Sequence, residues 1–299
     1  MSVQHQRMVV TGRKGQVVTS LIERAEAQGR FDVVAVGRPA LDLCRPETVE
    51  AALREACPDV IVSAAAYTAV DQAETDEEAA TLANGTSARA IAATANALDV
   101  PVIHLSTDYV FDGSKASPYI EADPVAPIGA YGRSKLVGEL AVAGATANHV
   151  VLRTAWVYSP FGKNFLKTML RLAETRESLN IVDDQIGNPT SAFDIADGVL
   201  AVAGNLLDSE DSKLRGLFHM VGTGDASWAD FATEIFACSA DAGGPTASVV
   251  RIPSSHYPTP AKRPANSRLD CGKLREIHGV CLRQWMPATA ETVKRLLQQ

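Results

Sequence analysis

The sequence predicts an α/β fold built on a doubly wound parallel sheet, and three observations support that prediction. Short apolar runs typical of buried strands alternate with segments of helical length through the first half of the 299-residue chain. A glycine-containing turn, Gly12 to Gly15, connects the first run to the first helical segment. After Leu152 the pattern becomes less regular, which indicates a smaller unit. The predicted fold class is therefore a Rossmann-type sheet with a smaller C-terminal domain.

The elements follow in chain order. The apolar runs predicted as strands are Met8–Thr11, Val33–Val36, Val60–Ala64, Val102–Leu105 and Val150–Leu152. The intervening segments predicted as helices are Val17–Gln28, Pro46–Ala56, Glu77–Leu98 and Tyr131–Ala143. Later in the chain, the predicted elements are helices at Asn164–Arg176 and Ala192–Leu206 and a strand at Leu217–Val221. We expect a Rossmann domain over residues 1–153 and a smaller domain over 154–299, with roughly 187–223 returning to the sheet.

Composition and charge exclude several classes of function. A net charge of −7 argues against a nucleic-acid partner, because nonspecific phosphate binding needs a basic surface. The five cysteines and six histidines show no metal-ligand spacing, so we expect reduced thiols and no metal site. The first residues lack a signal-peptide pattern, and no apolar stretch reaches the roughly 18–20 residues that a membrane helix needs. We therefore expect a cytoplasmic protein with no membrane partner.

The turn after the first strand is a candidate phosphate-binding site. Gly12 and Gly15 allow the backbone to approach a pyrophosphate, whose charge would lie at the N-terminus of the following helix. In the spacing Gly-x-x-Gly-x-x-Gly, Val18 stands where the third glycine would be, which predicts a slightly displaced helix. The motif is weak by itself, but its place directly after the first strand favours a dinucleotide cofactor.

The end of the second strand bears on which cofactor is used. An acidic residue there would hold the adenosine ribose, but this sequence has Arg38 instead. Arg38, with Arg13 or Lys14, could pair with a 2′-phosphate. Our hypothesis is that the protein prefers NADPH, with NADH as the other possible cofactor. The alternative is that these side chains are solvated surface cations that bind no phosphate. The small residues Ala64, Ala65 and Ala66 after the third strand would admit a cofactor.

A Tyr-x-x-x-Lys pair supplies the candidate chemistry. In a helix, Tyr131 and Lys135 lie one turn apart on the same face. A nearby ammonium would lower the pKa of the phenol toward the working pH, and the same lysine could hold the nicotinamide ribose. Thr107, at the end of the fourth strand, could hydrogen-bond the substrate oxygen. These residues predict a nicotinamide-dependent reductase in which Tyr131 supplies the proton and Lys135 adjusts the pKa of Tyr131.

Several blocks in this order resemble the dTDP-4-dehydrorhamnose reductase family. They are Gly12-x-x-Gly15-Gln16, Pro58–Asp71, Ser106–Gly113, Tyr131-x-x-x-Lys135, Arg153–Tyr158, Asp184–Thr190 and Tyr257–Leu269. The resemblance implies an extended short-chain dehydrogenase fold that reduces C4 of dTDP-4-dehydro-β-L-rhamnose with a hydride from NAD(P)H. Two departures concern the cofactor end, Val18 at the third glycine position and Ser63 where asparagine is common.

The same resemblance implies roles for individual residues. Thr107 and Asp108 would contact the sugar, and Trp156 would line its pocket. The residues implied to carry the cofactor are Gly15, Gln16, Val17, Asp42, Leu43, Ala66, Tyr67 and Thr68. The last block carries Ser267, a further substrate-binding candidate, and Lys262, Arg263 and Arg268, which could bind the diphosphate.

Other features have plainer interpretations or leave alternatives open. We interpret His104 as a hydrogen-bonded core residue, and the acidic segment Asp71 to Glu78 as a solvated face. A sugar-nucleotide dehydratase or epimerase stays an alternative, although Tyr109 stands where a dehydratase commonly has a second carboxylate. A non-catalytic regulatory subunit with the same fold is the other alternative. A homodimer is compatible with the resemblance, but no motif predicts it.

Overall fold

The computed structural model describes residues 5–298, and its centre is a six-stranded parallel sheet with the strand order β10-β5-β4-β3-β1-β2. The strands are β1 (Gln6–Thr11), β2 (Phe31–Val36), β3 (Val60–Ser63), β4 (Val102–Thr107), β5 (His149–Thr154), β6 (Val157–Tyr158), β7 (Ser178–Val182), β8 (Ile186–Gly187), β9 (Thr190–Ser191), β10 (Gly216–His219), β11 (Ala226–Ser227) and β12 (Ser248–Ile252). The predicted fold class is confirmed, and each of the five predicted sheet strands is present.

Helices cover both faces of the sheet and build most of the C-terminal part. They are α1 (Gln16–Gln28), α2 (Val49–Ala56), α3 (Val70–Ala73), α4 (Glu77–Thr81), α5 (Ser87–Leu98), α6 (Ala130–Ala145), α7 (Phe165–Ala173), α8 (Ala192–Asp208), α9 (Trp228–Asp241), α10 (Gly272–His278) and α11 (Trp285–Leu297). Strand β10 pairs with β5 at the sheet edge, and α8 packs against α1. The chain therefore returns to the sheet after β9, while the proposed boundary at residue 153 stays a prediction.

One predicted helix is interrupted. The segment predicted as a helix over Glu77–Leu98 contains a π-helical turn, Leu82–Thr86, between α4 and α5. Its Asn84 accepts a hydrogen bond from the Tyr67 backbone N–H at 2.8 Å, and its amide donates to the Tyr67 carbonyl at 3.1 Å. A π-turn is frequent at functional sites, and here it turns a helical side chain toward the loop after β3.

The three largest apolar clusters form most of the core. One lies between the sheet and α1 and α8, with Val10, Leu152 and Phe218 fully buried. A second lies under α2 and α5 on the opposite face, and a third joins α7, α9 and α11 in the C-terminal part. Because the central strands are parallel, the carboxyl ends of β1, β3, β4 and β5 meet at one edge, where ligands bind in such folds.

Residues 5–298 contain no helix with the length and apolar character needed to cross a membrane. Over the same range, no three His, Cys, Asp or Glu side chains lie together as metal ligands would.

Candidate active site

The turn between β1 and α1 has the geometry of a phosphate-binding turn. Gly12 adopts a left-handed backbone with φ of 102°, and its N–H donates to the Val36 carbonyl at 2.7 Å. Helix α1 begins after Gly15 with no side chain capping its first N–H groups, which leaves donors for an anion. Val18 is buried in the core, and its methyl carbon lies 3.4 Å from where a Cβ on Gly12 would stand.

A cleft of about 590 Å³ extends from this turn across the ends of β2 and β3. Its lining residues are Gly12, Arg13, Lys14, Gly37, Arg38, Leu41, Asp42, Leu43, Cys44, Ala65, Ala66, Tyr67 and Ala83. Seven of the predicted cofactor residues are in this set. The other six are outside it: Gly15, Gln16 and Val17 lie at the start of α1, Thr68 lies in the loop after β3, and Tyr131 and Lys135 lie on α6.

The Gln16 side chain, which the resemblance assigns to the cofactor, makes hydrogen bonds within the protein. Its amide donates to the Val157 carbonyl at 3.3 Å, and its Oε1 accepts from Ser159 at 2.8 Å and from Asn164 at 2.8 Å. The side chain therefore ties the start of α1 to the loop after β6. Its backbone N–H, in the first turn of α1, is the group left to face a phosphate.

The adenosine end of the cleft is rich in cations. Arg13, Lys14 and Arg38 are exposed on its rim, and Gly37 is buried so closely that a Cβ there would lie 3.2 Å from the Arg13 side chain. The Asp42 carboxylate accepts a hydrogen bond from the Cys44 N–H at 3.0 Å. Three cations around a glycine-lined cradle fit a phosphorylated dinucleotide.

The predicted catalytic pair, Tyr131 and Lys135, lies on α6, which packs directly on the turn after β4. A Cβ on Gly132 would stand 2.1 Å from the Tyr109 carbonyl oxygen, so only glycine allows this approach. The rings of Tyr109 and Tyr131 meet edge to face with centroids 5.8 Å apart. Tyr131 is half-buried and Lys135 is buried. The helix therefore places both side chains at the carboxyl end of β4.

Lys135 is held from below by the sheet. Its Nζ donates to the Leu105 carbonyl at 2.7 Å and lies 3.3 Å from His104 Nε2. The His104 Nδ1 lies 3.0 Å from the Ser63 hydroxyl, so the interpretation of His104 as a hydrogen-bonded core residue is confirmed. Burial lowers the pKa of Lys135 to about 8, while Glu139 raises it. Burial and the Lys135 charge also lower the pKa of His104, which keeps that ring a neutral acceptor.

The structure brings Thr107, Asp108 and Tyr131 together. The Thr107 hydroxyl donates to Asp108 at 2.9 Å and accepts from the Tyr109 N–H at 3.2 Å. Burial and the Asp108 charge raise the pKa of Tyr131 to about 12, while a hydrogen bond with Thr107 lowers it. The pKa is therefore raised rather than lowered in this structure, and the tuning of Tyr131 by Lys135 stays a prediction. Burial raises the pKa of Asp108 to about 7, opposed by hydrogen bonds from Thr107 and Ser267.

The predicted basic contacts to a diphosphate are largely committed to other partners. Arg263 donates to the Asp71 carboxylate at 2.9 Å and to the Thr259 hydroxyl at 2.5 Å. Arg268 pairs with Asp225 at 3.2 Å, whereas Lys262 is exposed. The two arginines of this loop therefore stabilise the loop itself, which composition alone could not predict.

The interpretation of Asp71 to Glu78 as a solvated face is confirmed for Glu74, Glu77 and Glu78, which are exposed, but several of these carboxylates also have partners. Asp71 pairs with Arg263, Glu74 accepts a hydrogen bond from the first N–H of α6 at 2.8 Å, and Glu77 pairs with Arg133 at 2.7 Å. Acidic side chains suit this position because the N-terminus of a helix attracts negative charge. The segment therefore fixes the start of the helix that carries Tyr131.

Two sets of interacting side chains near the site were not predicted from the sequence. Asn84 donates to the Ser134 hydroxyl at 2.9 Å, and Ser134 donates to the Tyr131 carbonyl at 2.8 Å. Glu139 and Arg153 form a buried ion pair with a shortest distance of 2.7 Å. Its position was detectable only as a glutamate one turn after Lys135 and an arginine inside an apolar strand.

A prediction about stability follows from the buried lysine. Because the pKa of Lys135 falls from 10.5 to about 8 on folding, the unfolded chain binds more protons between these values. The free energy of unfolding therefore rises with pH across that window, and below it the whole penalty applies. A Lys135→Met variant should gain roughly 1–2 kcal/mol at pH 7, after allowing for the lost hydrogen bonds.

Urea unfolding at pH 7 and pH 10 measures this effect. The gain should shrink at the higher pH, because the ammonium penalty itself shrinks. A loss of stability at pH 7 would show that the Leu105 and His104 contacts outweigh desolvation of the ammonium.

Comparison with known proteins identifies the family. The sequence model described as the RmlD substrate binding domain matches residues 6–298. The dTDP-4-dehydrorhamnose reductase of Sinorhizobium fredii is 50% identical over 291 residues, covering 97% of this chain and 98% of the relative. The enzyme of the same name from Escherichia coli K12 is 41% identical over 298 residues, covering 98% and 97%.

Solved structures agree with the sequence comparison. A dTDP-4-dehydrorhamnose reductase from Clostridium acetobutylicum has a TM-score of 0.89 and 34% identity, covering 98% of this chain and 100% of its own. The reductase from Bacillus anthracis, solved in complex with NADP, has a TM-score of 0.89 and 30% identity, covering 97% and 99%. The chain belongs to the dTDP-4-dehydrorhamnose reductase family.

Proposed function

We propose that this protein reduces dTDP-4-dehydro-β-L-rhamnose to dTDP-L-rhamnose with NADPH, and that Tyr131 donates the proton. The observation that carries the proposal is the convergence of Thr107, Asp108 and Tyr131 at the carboxyl end of β4. The glycine-lined cleft begins at the neighbouring strand ends. A hydride donor and a carbonyl acceptor could therefore meet beside a protonated phenol.

The cofactor would be held along the cleft. Backbone N–H groups at the start of α1 would face its pyrophosphate, and Arg38 with Arg13 or Lys14 would pair with the 2′-phosphate. The small side chains of Ala65 and Ala66 leave room for the chain of the cofactor to cross β3. When bound, NADPH supplies the hydride that reduces the C4 carbonyl.

Tyr131 would then supply the proton that completes the reduction. Its pKa of about 12 keeps the phenol protonated at neutral pH, as a proton donor must be. The alkoxide left on O4 is a far stronger base than a phenolate, so the proton passes from Tyr131 to O4. The Thr107 hydroxyl donates to Asp108 in this structure, and it must rotate before it can donate to the sugar oxygen.

Lys135 would act from beneath the phenol, where its positive charge favours the phenolate. Its ammonium reaches the Leu105 carbonyl and His104, which fixes its stem along the floor of the site. From there it can hold the nicotinamide ribose and stabilise the phenolate that forms after proton transfer. Water would return the proton to Tyr131 after each turnover.

One assay tests the function. The purified protein is given NADPH and dTDP-4-dehydrorhamnose, and the reduced nicotinamide band is followed with the uridine analogue and NADH as comparisons. We expect stoichiometric oxidation of NADPH with the dTDP-sugar. A dehydratase or epimerase would regenerate its cofactor, and a non-catalytic subunit would give no turnover, so either result would overturn the proposal.

The structure offers a physical reason to disfavour dehydration. A dehydratase of this superfamily needs an acid and a base beside the tyrosine, and the residue after Asp108 is Tyr109. Burial and the Asp108 charge raise the pKa of Tyr109, so it stays protonated and cannot act as that base. The homodimer and the cytoplasmic location stay predictions from the sequence.

Arg38 provides a second test, directed at the cofactor. Replacing Arg38 with Ser should raise the KM for NADPH about tenfold or more and leave the KM for NADH nearly unchanged, because a charge-assisted hydrogen bond to the 2′-phosphate is lost. Arg89→Ala, on the exposed surface of α5 and outside the cleft, is the matched control. Equal changes with both cofactors would mean that Arg38 does not read the 2′-phosphate.

A further inference from the structure

Trp156 has a backbone conformation that bulky residues rarely adopt. It follows β5 by two residues and has a φ of 47°, in the left-handed region. A large side chain at such a position is strained unless surrounding contacts hold it there. Its carbonyl accepts a hydrogen bond from the Thr190 N–H at 3.2 Å, which fixes the peptide on the C-terminal side. The strained backbone indicates that the position of the Trp156 indole is important.

A second tryptophan fixes the plane of that indole. Trp228 stacks face to face on Trp156, with ring centroids 3.5 Å apart and planes inclined by only 4°. Trp228 is the first residue of α9, and its own place is set by a capping box between Ser227 and Asp230. The Phe165 ring lies against Trp228, with centroids 4.6 Å apart. Trp228 is therefore anchored independently of Trp156.

Glycine at position 187 makes room for the same indole. A Cβ on Gly187 would lie 2.5 Å from Trp156 Cε2 and 2.8 Å from the Ser267 hydroxyl, closer than any side chain allows. The edge of Trp156 thus fits between Gly187 and the stacked Trp228. Any larger residue at 187 would displace the ring.

The indole is close to the catalytic residues. Ser267, which borders Gly187 and Trp156, is also near enough to Asp108 to lower the pKa of its carboxyl. Asp108 in turn accepts from Thr107, which contacts Tyr131. Trp156 also packs against two apolar clusters, one behind the turn after β4 and one in the C-terminal part. The stacked pair therefore joins the C-terminal part to the place where the sugar would lie.

We propose that Trp228 is a positioning residue for the sugar nucleotide, because it holds the Trp156 indole in the plane that contacts the substrate. This inference rests on the proposed function. Trp228 itself acts only through Trp156, so its removal should weaken substrate binding without affecting the cofactor. Stacking on an aromatic face suits the apolar side of a deoxysugar or a pyrimidine base, and a tilted or mobile indole would lose that contact.

The test compares Trp228→Leu with Trp285→Leu, Trp228→Phe and Trp156→Leu. Trp285 is a buried tryptophan of the same C-terminal cluster whose nearest aromatic partner is Phe231, so it controls for lost packing. Trp228→Leu should raise the KM for dTDP-4-dehydrorhamnose about tenfold. The KM for NADPH should stay within about twofold of wild type, and Trp228→Phe should recover most of the loss.

Two further measurements separate positioning from simple destabilisation. Circular dichroism of the substrate-free protein should show a coupled signal from two parallel indoles, lost in Trp228→Leu and Trp156→Leu and kept in Trp285→Leu. The Trp156→Leu/Trp228→Leu double variant should bind substrate no worse than Trp156→Leu alone, because Trp228 acts through Trp156.

The outcomes are distinguishable. If wild-type protein fails to oxidise NADPH with this sugar nucleotide, the proposed function fails while the spectroscopic test of the stack still stands. If wild type is active and Trp228→Leu has an unchanged substrate KM, or if its effect adds fully to that of Trp156→Leu, the positioning role is overturned. A Trp228→Leu variant that unfolds leaves Trp228→Phe to decide, since a twofold to fivefold intermediate KM is then expected.

Discussion

A Tyr131→Phe variant is expected to lose about 10²–10⁴-fold in kcat and to keep its affinity for NADPH. The substitution removes one oxygen atom and leaves the ring, which packs edge to face on Tyr109 with centroids 5.8 Å apart. The aromatic packing of α6 therefore survives, whereas the proton for O4 is lost. Steady-state kinetics with the dTDP-sugar gives kcat, and fluorescence titration of NADPH gives the cofactor Kd.

The matched control is Tyr109→Phe. Tyr109 lies beside Tyr131 and is also protonated, because burial and the Asp108 charge raise its pKa. We expect Tyr109→Phe to retain a kcat within about tenfold of wild type, because it donates no proton to O4. If Tyr131→Phe turned over normally while Tyr109→Phe did not, the proton donor would be Tyr109 and the assignment would be wrong.

The second large effect concerns stability. Replacing Arg153 with Met should lower the free energy of unfolding by about 3–5 kcal/mol, because it leaves the Glu139 carboxylate buried without its partner. Arg153 and Glu139 have side chains only 3% and 7% exposed and meet at 2.7 Å. The Ser106 hydroxyl donates to the same carboxylate at 2.5 Å but carries no charge to balance it.

An exposed pair provides the control. Arg54 and Glu50 are 46% and 65% exposed and lie 2.9 Å apart on α2, so Arg54→Met should cost at most about 1 kcal/mol. The Arg153→Met/Glu139→Leu double variant should recover much of the loss, since neither charge is then left unpaired. Urea unfolding measures all three variants, and equal costs for Arg153→Met and Arg54→Met would contradict the argument.

The predictable part of the fold was the part governed by local pattern. The central strands of the sheet are apolar runs with buried side chains on both faces, and the structure places each predicted strand in the sheet. The helix predicted over Glu77–Leu98 failed at Leu82–Thr86, because its interruption depends on Asn84 bonding to Tyr67 in a different loop. Helical periodicity carries no information about such a contact.

At the candidate active site, too, local patterns were predictable and tertiary contacts were not. Tyr131, Lys135 and Thr107 were recognisable because one motif and one strand end place them. What the sequence could not supply were partners brought together by tertiary folding, such as His104 beneath Lys135 and Asp71 beside Arg263. The direction of the Lys135 ammonium also depends on the Leu105 carbonyl, a backbone group that no side-chain pattern records.

The ion pair between Asp71 and Arg263 spans 192 positions of the chain, and this separation bears on how the enzyme is made. A ribosome releases the segment that carries the cofactor cleft, Tyr131 and Lys135 long before it releases Arg263. Because domains tend to fold as they emerge, the growing chain should assemble the cofactor cleft before Arg263 is available to pair with Asp71. A nascent or prematurely ended chain could thus bind dinucleotide without being able to reduce a sugar.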